Sequence, residues 1–394
     1  DYMVPSSWTR LEQLPLTSTG KVDRPRLPKP AAHREMPASA AAIPPRDLLE
    51  FKLAQLWENC LGAEPAGVRQ DFFEAGGYSL RAIALMAAVK RSFGRTVPLL
   101  RFLENPTIEH LGTVLRATPE PLTSRSCVIP IQAAGTKPPI FCAPPGGGNP
   151  IHYRHLSRCL GNDQPFYGLQ SPGLEGECEP FDDWTRLAAH YIETVKRIQP
   201  CGPFFLGGWS DGGRVALEMA QQLYRQGEEV ALLAIFDEQL EQVDPALVSS
   251  DAEILFSMVA SILPVDLEAL RALGPTDRLL HVLDLAKRAN LLPPDYALVH
   301  AQRQFQVFKA NALARVKYRP SRYPGRVALF WANEKIHDDI ATRSALWRRV
   351  VAGDMEAHLA PGNHLTLMSR DHAPVLAQYL NACLERAYLA APTL

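Results

Sequence analysis

The sequence predicts a small all-α domain followed by a larger α/β domain, in which helices cover both faces of a mostly parallel sheet. Three observations predict this architecture. Two breaks rich in proline and polar residues divide the chain, the segment between them has only helical periodicity, and the long remainder alternates strand-like apolar runs with amphipathic helices. A chain of 394 residues, 46% of them hydrophobic, is long enough for two or three domains.

The proline distribution suggests where the domains meet. Residues 25–45 hold six prolines among alanines and charged residues, which predicts an extended linker, and a second break falls at 118–126. The expected divisions are a short N-terminal remnant at 1–30, a linker at 31–45, a helical domain at 46–117, a second linker at 118–126 and a large domain at 127–394.

The helical domain is predicted from its apolar spacing. An apolar face that includes Leu49, Leu53 and Trp57 predicts a first helix, which Gly62 ends. A second apolar face follows at 80–89, and a third helix begins after Pro106 with Thr107 as its N-cap. Because no strand pattern interrupts this segment, we expect a small helical bundle.

The large domain is predicted from alternating apolar runs and helical patterns. Continuous apolar strands separated by amphipathic helices are typical of a parallel sheet that is buried on both faces. Residues 240–322 break the alternation with helical patterns alone, and an insertion of this kind commonly forms a lid. The predicted strands are 139–143, 165–169, 203–208, 229–236, 326–332 and 355–360.

The composition excludes several classes of protein. A formal net charge of -1 argues against a nucleic-acid binder or a basic membrane-surface protein. No apolar run is long enough to span a bilayer, and no signal peptide is found. The seven cysteines form no C-x-x-C pair, which suits a reducing cytoplasm. We expect a monomer and, since the chain begins Asp-Tyr, a piece of something longer.

A glycine-rich stretch after a predicted strand holds a candidate nucleophile. Residues 208–212 read Gly-Trp-Ser-Asp-Gly, the G-x-S-x-G pattern, and a predicted helix follows. Between a strand and a helix this pattern makes a sharp elbow that exposes the serine hydroxyl, as in the α/β-hydrolase fold. Ser210 is therefore the candidate nucleophile, provided that a base, an acid and an oxyanion site accompany it.

The base is expected near the C-terminus, because the order in this fold is serine, acid, histidine. His364 lies in a turn after the last predicted strand and before the last helix. His358 lies within that strand and His372 at the start of the helix, so packing or surface roles are expected for both. His364 is the candidate base.

Two places remain open for the acid. Asp237 follows the strand at 229–236, whereas Asp338 and Asp339 follow the next strand. Both places lie at the carboxyl edge of the predicted sheet, where sites collect in α/β folds. A carboxylate at a strand end is often only a helix cap, and position alone does not choose between them.

The oxyanion site requires backbone N–H groups. One is expected from Asp211, directly after the nucleophile, and another from the Pro-Pro-Gly-Gly-Gly loop within 142–149, where Gly146 is the first N–H donor after the prolines. The Asp211 side chain is expected to favour the helix N-terminus rather than act in catalysis. No metal is expected, since His152 and His155 have no carboxylate or cysteine near them in sequence.

A second serine is identified by resemblance. Residues 71–80 read DFFEAGGYSL, which resembles the D-x-F-F-x-x-G-G-x-S-L signature of peptidyl carrier domains from nonribosomal peptide synthetases. The resemblance implies a four-helix carrier at 46–117 and a 4′-phosphopantetheine arm on Ser79. It also implies a phosphopantetheinyl transferase as partner. From physical chemistry alone, Ser79 would be read as a helix N-cap.

Two further resemblances complete this picture. Residues 14–24, LPLTSTGKVDR, resemble the last motif of an adenylation domain, in which Lys21 matches the lysine that contacts the acyl-adenylate. Residues 127–394 resemble the thioesterase that ends such synthetases, through PPIFCAPPGGG, QPCGPFFLGGWSDGG and PGNHLTLM among others. In those thioesterases the acid usually follows the strand after the nucleophile helix, which favours Asp237. Asp211 departs from the apolar residue that is usual there.

The resemblances imply a termination module. It would receive an acyl or peptidyl thioester from upstream synthetase domains, transfer it to Ser210 and release it by hydrolysis or cyclisation. Alternatives are a proofreading hydrolase, a one-module synthetase that joins two α-keto acids, and a binding module with a degenerate hydrolase fold. The proofreading hydrolase and the one-module synthetase would release a different product from that of the main hypothesis. The binding module would have no reactive serine.

Overall fold

The computed structural model describes residue 15 and residues 43–77, 79–95, 97, 99–117, 127–174, 176, 178–241, 244–293, 296–334 and 340–390. The chain forms two compact units, residues 1–120 and 121–394. Within the described residues, no helix is both long and apolar enough to cross a membrane.

The described part of the first unit is a four-helix bundle. Its helices are α1 (Leu48–Leu61), α2 (Ser79–Phe93), α3 (Leu99–Glu104) and α4 (Ile108–Arg116). Asp47 caps α1, which ends at Gly62 in the left-handed conformation, and Thr107 caps α4 as predicted. The core is aromatic: Phe72 lies edge-on to both Trp57 and Phe102, with ring centroids 4.8 and 5.6 Å away.

The second unit is built on a sheet that has seven strands among the described residues. The strands are β1 (Val128–Gln132), β2 (Ile140–Ala143), β3 (Phe166–Leu169), β4 (Phe204–Trp209), β5 (Val230–Phe236), β6 (Val327–Ala332) and β7 (Met355–Ala360). Their order is β1-β3-β2-β4-β5-β6-β7, and all neighbours are parallel except β1 and β3. The six predicted strands are present. The sequence prediction missed β1, an antiparallel edge strand that contains Pro130.

Helices cover both faces of this sheet because successive strand residues point to opposite sides. In β4, Leu206 packs into the core formed with α6 (Trp184–Lys196), α7 (Asp211–Arg225) and α12 (Ile340–Val350). The neighbouring Phe205 instead contacts Tyr388, with ring centroids 4.8 Å apart. Tyr388 lies on α13 (Ala373–Ala390), and α5 (Arg154–Cys159) also packs against α13. The predicted α/β architecture is confirmed.

The insertion between β5 and β6 is helical, as the sequence predicted. It forms α8 (Asp251–Val259), α9 (Leu267–Ala272), α10 (Pro275–Arg288) and α11 (Leu298–Lys317), which we call the lid. The lid has its own apolar core, in which Phe305 of α11 packs with Leu255 of α8 and Leu270 of α9. α11 also contacts the sheet domain, because Ala314 belongs to the core of that domain and Asn311 donates to the Gly146 carbonyl.

Candidate active site

Ser210 occupies a strained turn between β4 and α7. Its φ and ψ angles are 54° and -137°, a conformation that costs a non-glycine residue about 1–3 kcal/mol. The turn is held from both sides: the Ser210 N–H donates to the carbonyl of Phe236 at 3.0 Å, and its own carbonyl accepts from Gly213 at 2.7 Å. The hydroxyl is thereby set at the carboxyl edge of the sheet, where the elbow was predicted.

Two glycines allow this turn. A Cβ atom on Gly208 would overlap the backbone carbonyl of Gly212, and a Cβ on Gly212 would overlap the carbonyl oxygens of Ala143 and Pro144. The strand, the helix and the loop after β2 therefore approach so closely that only glycine fits. The glycines of the pattern are therefore needed because there is no room for a side chain at the elbow, and not only because they allow unusual dihedral angles.

A continuous hydrogen-bond chain joins the three candidate catalytic side chains. His364 Nε2 lies 3.1 Å from Ser210 Oγ, and His364 Nδ1 lies 2.8 Å from Asp237 Oδ2. The imidazole is 45% exposed, whereas the carboxylate is 7% exposed. A buried acid, a histidine and a serine in this order can move the hydroxyl proton to the imidazole and stabilise the cation that forms.

The environment of Asp237 keeps its carboxylate ionised. Burial by itself would raise the pKa, but hydrogen bonds from His364 and the Ala332 N–H, with the charges of His364 and Arg343, hold the pKa of Asp237 below its usual value. Ala332 N and Arg343 Nη2 donate to Oδ1 at 3.0 and 2.7 Å. No local sequence pattern pointed to Arg343, which lies on α12 far along the chain.

The alternative residues are placed elsewhere or lie outside the described part. His358 stacks between the rings of Phe330 and Tyr379, and His372 Nδ1 faces the Thr366 carbonyl at 3.0 Å. Neither side chain is hydrogen-bonded to Ser210. Asp338, Asp339 and Lys21 lie outside the described residues.

Two backbone N–H groups are free near the serine. Among the described residues, no hydrogen-bond acceptor is found for the N–H of Gly146 or of Asp211. The buried hydroxyl of Tyr153 ties the two segments together, because it donates to the Ala143 carbonyl at 2.6 Å and accepts from the Trp209 N–H at 2.8 Å. Tyr153 was not singled out in the sequence, where an aromatic residue in an apolar run predicts only core packing.

A cluster of possible metal ligands lies away from this site. His358 Nε2 is 3.1 Å from Glu356 Oε2 and 3.5 Å from Cys383 Sγ. Arg386 donates to the same oxygen of Glu356 and lies 3.5 Å from the sulfur. The guanidinium already takes the place that a bound cation would have, so we assign no metal to this cluster.

The carrier unit presents Ser79 at the first position of α2. The two glycines before it form a turn in which Gly77 N–H donates to the Phe72 carbonyl at 2.9 Å. A Cβ on Gly77 would overlap the ring of Phe72, so the close path of the backbone requires glycine. Ser79 stays the predicted attachment residue.

The fold agrees with comparisons to known proteins. Residues 138–384 match the thioesterase domain family, and residues 52–115 match the phosphopantetheine attachment site. The chain therefore belongs to the thioesterase domain family, with a carrier domain ahead of the thioesterase.

The chain is also similar to individual synthases and synthetases. The chain is 32% identical over 385 residues to chondramide synthase of Chondromyces crocatus, covering 93% of this chain and 10% of that one. It is 40% identical over 238 residues to malpinin synthetase of Mortierella alpina, covering 60% of this chain and 3% of that one. A solved holo four-domain nonribosomal peptide synthetase, bound to AMP and glycine, superposes with a TM-score of 0.75 at 30% identity, covering 97% and 29% of the two chains.

These comparisons confirm the predicted carrier domain and the predicted thioesterase. A carrier domain with covalently attached 4′-phosphopantetheine is followed by a thioesterase of the α/β-hydrolase fold, an enzyme that releases the chain held by the carrier. The chain spans a tenth or less of the length of these two curated relatives.

Proposed function

We propose that Ser210 is the nucleophile that takes the acyl or peptidyl group from the carrier arm on Ser79. The arm supplies a thiol that holds the group as a thioester. His364, oriented by Asp237, accepts the Ser210 proton while Oγ attacks the acyl carbon. The carbon–sulfur bond then breaks, the proton passes from His364 to the leaving thiol, and the acyl group remains on Ser210 as an ester.

The N–H groups of Gly146 and Asp211 are proposed to hold the oxyanion of the tetrahedral intermediate. In the second half of the reaction, His364 removes a proton from water or from a nucleophile of the bound chain itself. Water gives the free acid, and an internal amine or hydroxyl gives a ring. In both cases the ester bond to Ser210 breaks and the serine recovers its proton.

The observation that supports this proposal most is the hydrogen-bond chain from Ser210 through His364 to Asp237, at 3.1 and 2.8 Å. A degenerate binding module would have no reason to keep a strained serine, an exposed imidazole and a buried, ionised carboxylate in line. The free N–H groups of Gly146 and Asp211 lie on the two segments that such a reaction would use.

We further propose that the chain is the end of a synthetase. Residues 1–30, with Lys21, would be the last part of an adenylation domain, residues 46–117 the carrier and residues 127–394 the thioesterase. The relatives that match most of the chain carry the name synthase or synthetase, which supports upstream synthetase domains as partners. A phosphopantetheinyl transferase would load Ser79.

The test is mass spectrometry of the pantetheinylated chain, loaded at Ser79 with a simple acyl group, in wild type and Ser210→Ala. We expect wild type to lose the acyl group and the variant to keep it as a thioester on Ser79. Equal retention by both proteins, together with no labelling of wild-type Ser210 by a fluorophosphonate, would reject Ser210 as the nucleophile.

The mass and the selectivity of release distinguish the remaining alternatives. A product one water heavier than a ring indicates hydrolysis, and a product that joins two acyl units indicates carbon–carbon bond formation. Fast release of short acyl groups combined with retention of a longer peptidyl chain would indicate a proofreading hydrolase.

A further inference from the structure

One face of the lid helix α11 contacts both residues whose N–H groups form the proposed oxyanion hole. Asn311 Nδ2 donates to the carbonyl of Gly146 at 2.9 Å. Arg315, one turn further along α11, places Nε 3.5 Å from Asp211 Oδ1. Residues four apart lie on the same face of a helix. The two contacts therefore belong to one surface, although Gly146 and Asp211 are on different segments of the α/β core.

Asn311 is held in one orientation. Its Oδ1 accepts a hydrogen bond from Trp184 Nε1 at 3.0 Å while its Nδ2 donates to Gly146, and both side chains are buried. The donor and acceptor ends of the amide thus have separate partners, which fixes the amide against rotation. Because Trp184 begins α6 in the core, Asn311 connects the loop after β2 to a rigid element of the sheet domain.

The loop after β2 needs such support because its glycines restrict the backbone little. Phe308 of α11 lies 3.3 Å from the position that a Cβ of Gly146 would take, and Val307 lies 2.8 Å from the corresponding position at Gly148. The same helix face thus packs along the loop and bonds to its carbonyl. Asn311 fixes the Gly146 carbonyl, which belongs to the peptide between Gly146 and Gly147. The Gly146 N–H lies on the other side of the same Cα, so α11 constrains it through the φ and ψ angles of Gly146.

The second contact, between Arg315 and Asp211, affects the charge beside the proposed oxyanion hole. The Asp211 carboxylate follows the nucleophile directly, and its Oδ2 lies 2.7 Å from the Cβ position of Gly146. A negative charge there opposes the charge that develops on the oxyanion. Arg315 is the basic group that faces Asp211 from the lid. The remaining charges nearby balance each other: Glu238 pairs with Arg214 and lies 3.8 Å from Arg315 Nη2.

We propose that α11 is a positioning element of the reaction, which completes the oxyanion hole from the lid. Asn311 fixes Gly146 by its carbonyl, and Arg315 neutralises Asp211, so the hole has its catalytic geometry and charge only while α11 is in contact with both residues. Neither side chain touches the reacting atoms. This inference rests on the proposed roles of Ser210, Gly146 and Asp211, and it assigns to the lid a part in the chemistry in addition to covering the site.

The test compares turnover with the binding of an oxyanion mimic. The substrate is p-nitrophenyl butyrate, and the mimic is trifluoromethyl propyl ketone, which adds to the serine and places an alkoxide in the hole. For Asn311→Ala we expect kcat to fall on the order of 10²-fold, with KM within about twofold and ketone affinity reduced by a factor similar to that of kcat. A purely structural loss would lower the folded fraction without moving ketone affinity and kcat together.

Arg315 gives an independent test, since this side chain is 33% exposed and belongs to neither apolar core cluster. Arg315→Met should lower kcat by about tenfold, and Arg315→Lys should keep most of it because the charge remains. Adding Asp211→Asn to Arg315→Met should restore part of the loss. The matched control is Lys317→Met, which removes an exposed ion pair with Asp182 from the same helix and should leave kcat unchanged.

The inference is overturned if Asn311→Ala and Arg315→Met both keep kcat and ketone affinity within about threefold of wild type. It is also overturned if KM alone rises, which would make α11 a substrate-binding surface only. Ser210→Ala is measured in parallel. If that variant still turns over the ester at the wild-type rate, the proposed function fails and this inference with it; if only Ser210→Ala is inactive, the inference alone fails.

Discussion

Arg343 donates a hydrogen bond of 2.7 Å to Asp237 Oδ1, the carboxylate oxygen that does not face His364. The guanidinium also donates to the Ala332 carbonyl at 2.8 Å and lies over the ring of Trp331, 4.3 Å from the ring centroid. Arg343 therefore fixes the carboxylate in position and keeps it charged, while leaving Oδ2 for the histidine. A buried acid would otherwise tend to take up a proton.

Arg343→Met is expected to lower both activity and stability. Methionine keeps much of the packing volume but leaves the buried Asp237 carboxylate without its cationic partner, a loss that typically costs about 3–5 kcal/mol of unfolding free energy. We expect kcat to fall by at least about tenfold, because an acid that is less ionised orients and stabilises His364 less well. Urea unfolding and ester hydrolysis measure the two effects.

The control for Arg343 lies five residues further along α12. Arg348 is exposed, and Arg348→Met should change neither kcat nor unfolding beyond a few tenths of a kcal/mol. Wild-type turnover by a folded Arg343→Met protein would mean that Asp237 does not need the arginine.

The pH dependence of stability should report the ionisation of Asp237. Its pKa in the folded protein is lowered from the usual value of 3.8. A carboxylate with a depressed folded pKa adds stability that is fully present above the unfolded pKa and is lost as pH falls through the folded pKa. At a pH below both the folded and the unfolded pKa, the acid is protonated in both states, and its ionisation adds nothing to stability.

The experiment measures the unfolding free energy of wild type and Asp237→Asn from neutral pH to about pH 2.5. The titrating groups that do not contact residue 237 have the same environment in both proteins, so the difference reports residue 237 together with its partner His364. We expect the advantage of wild type to be constant down to about pH 5 and to shrink below about pH 4. An advantage that grows on acidification would contradict the lowered pKa.

The candidate site shows which features a sequence reveals. Ser210 and His364 could be picked out because their signals are local: a glycine pattern at a strand end and a turn before the last helix. Arg343 could not, since it meets Asp237 across 106 positions of the chain, and Asn311 meets Gly146 across 165. Such contacts depend on how elements pack, which periodicity does not encode.

In the fold, too, the elements with a local sequence signal were predicted and those without one were not. The central parallel strands β2, β4 and β6 were predicted because each is a continuous apolar run that is buried on both faces, whereas β7 at the sheet edge is mostly half-buried. β1 was missed because Pro130 interrupts a short run, which argues against a central strand, and β1 is in fact an edge strand beside β3. The lid helices were predicted from their period, but the face of α11 that meets the core was not, because Asn311 and Arg315 are polar residues that periodicity assigns to solvent.

Tyr153→Phe should slow the reaction without disturbing the aromatic core. The substitution removes one buried hydroxyl, so the Ala143 carbonyl and the Trp209 N–H lose a partner each, which costs about 1–3 kcal/mol. Because these groups precede the oxyanion loop and the nucleophile, we also expect kcat to fall by about tenfold.

Tyr191→Phe is the matched control for Tyr153→Phe. Tyr191 is equally buried, and among the described residues its hydroxyl has only a 3.5 Å contact with Ser171. Equal effects of the two substitutions on kcat would mean that the Tyr153 bridge has no role in setting the site.

Gly208→Ala should abolish activity by moving the elbow. The added methyl group would overlap the backbone carbonyl of Gly212, and backbone atoms of α7 cannot give way as the end of a flexible side chain can. We expect a loss of about 1–3 kcal/mol in unfolding free energy and, in the protein that remains folded, loss of Ser210 labelling by a fluorophosphonate. Gly274→Ala is the control, because its φ of -67° suits alanine and its nearest neighbour, the Asp277 carboxylate, lies at an ordinary 3.5 Å. If Gly208→Ala is labelled at the wild-type rate, the helix can shift without displacing the serine, and the close contact between β4 and α7 is not what positions the nucleophile.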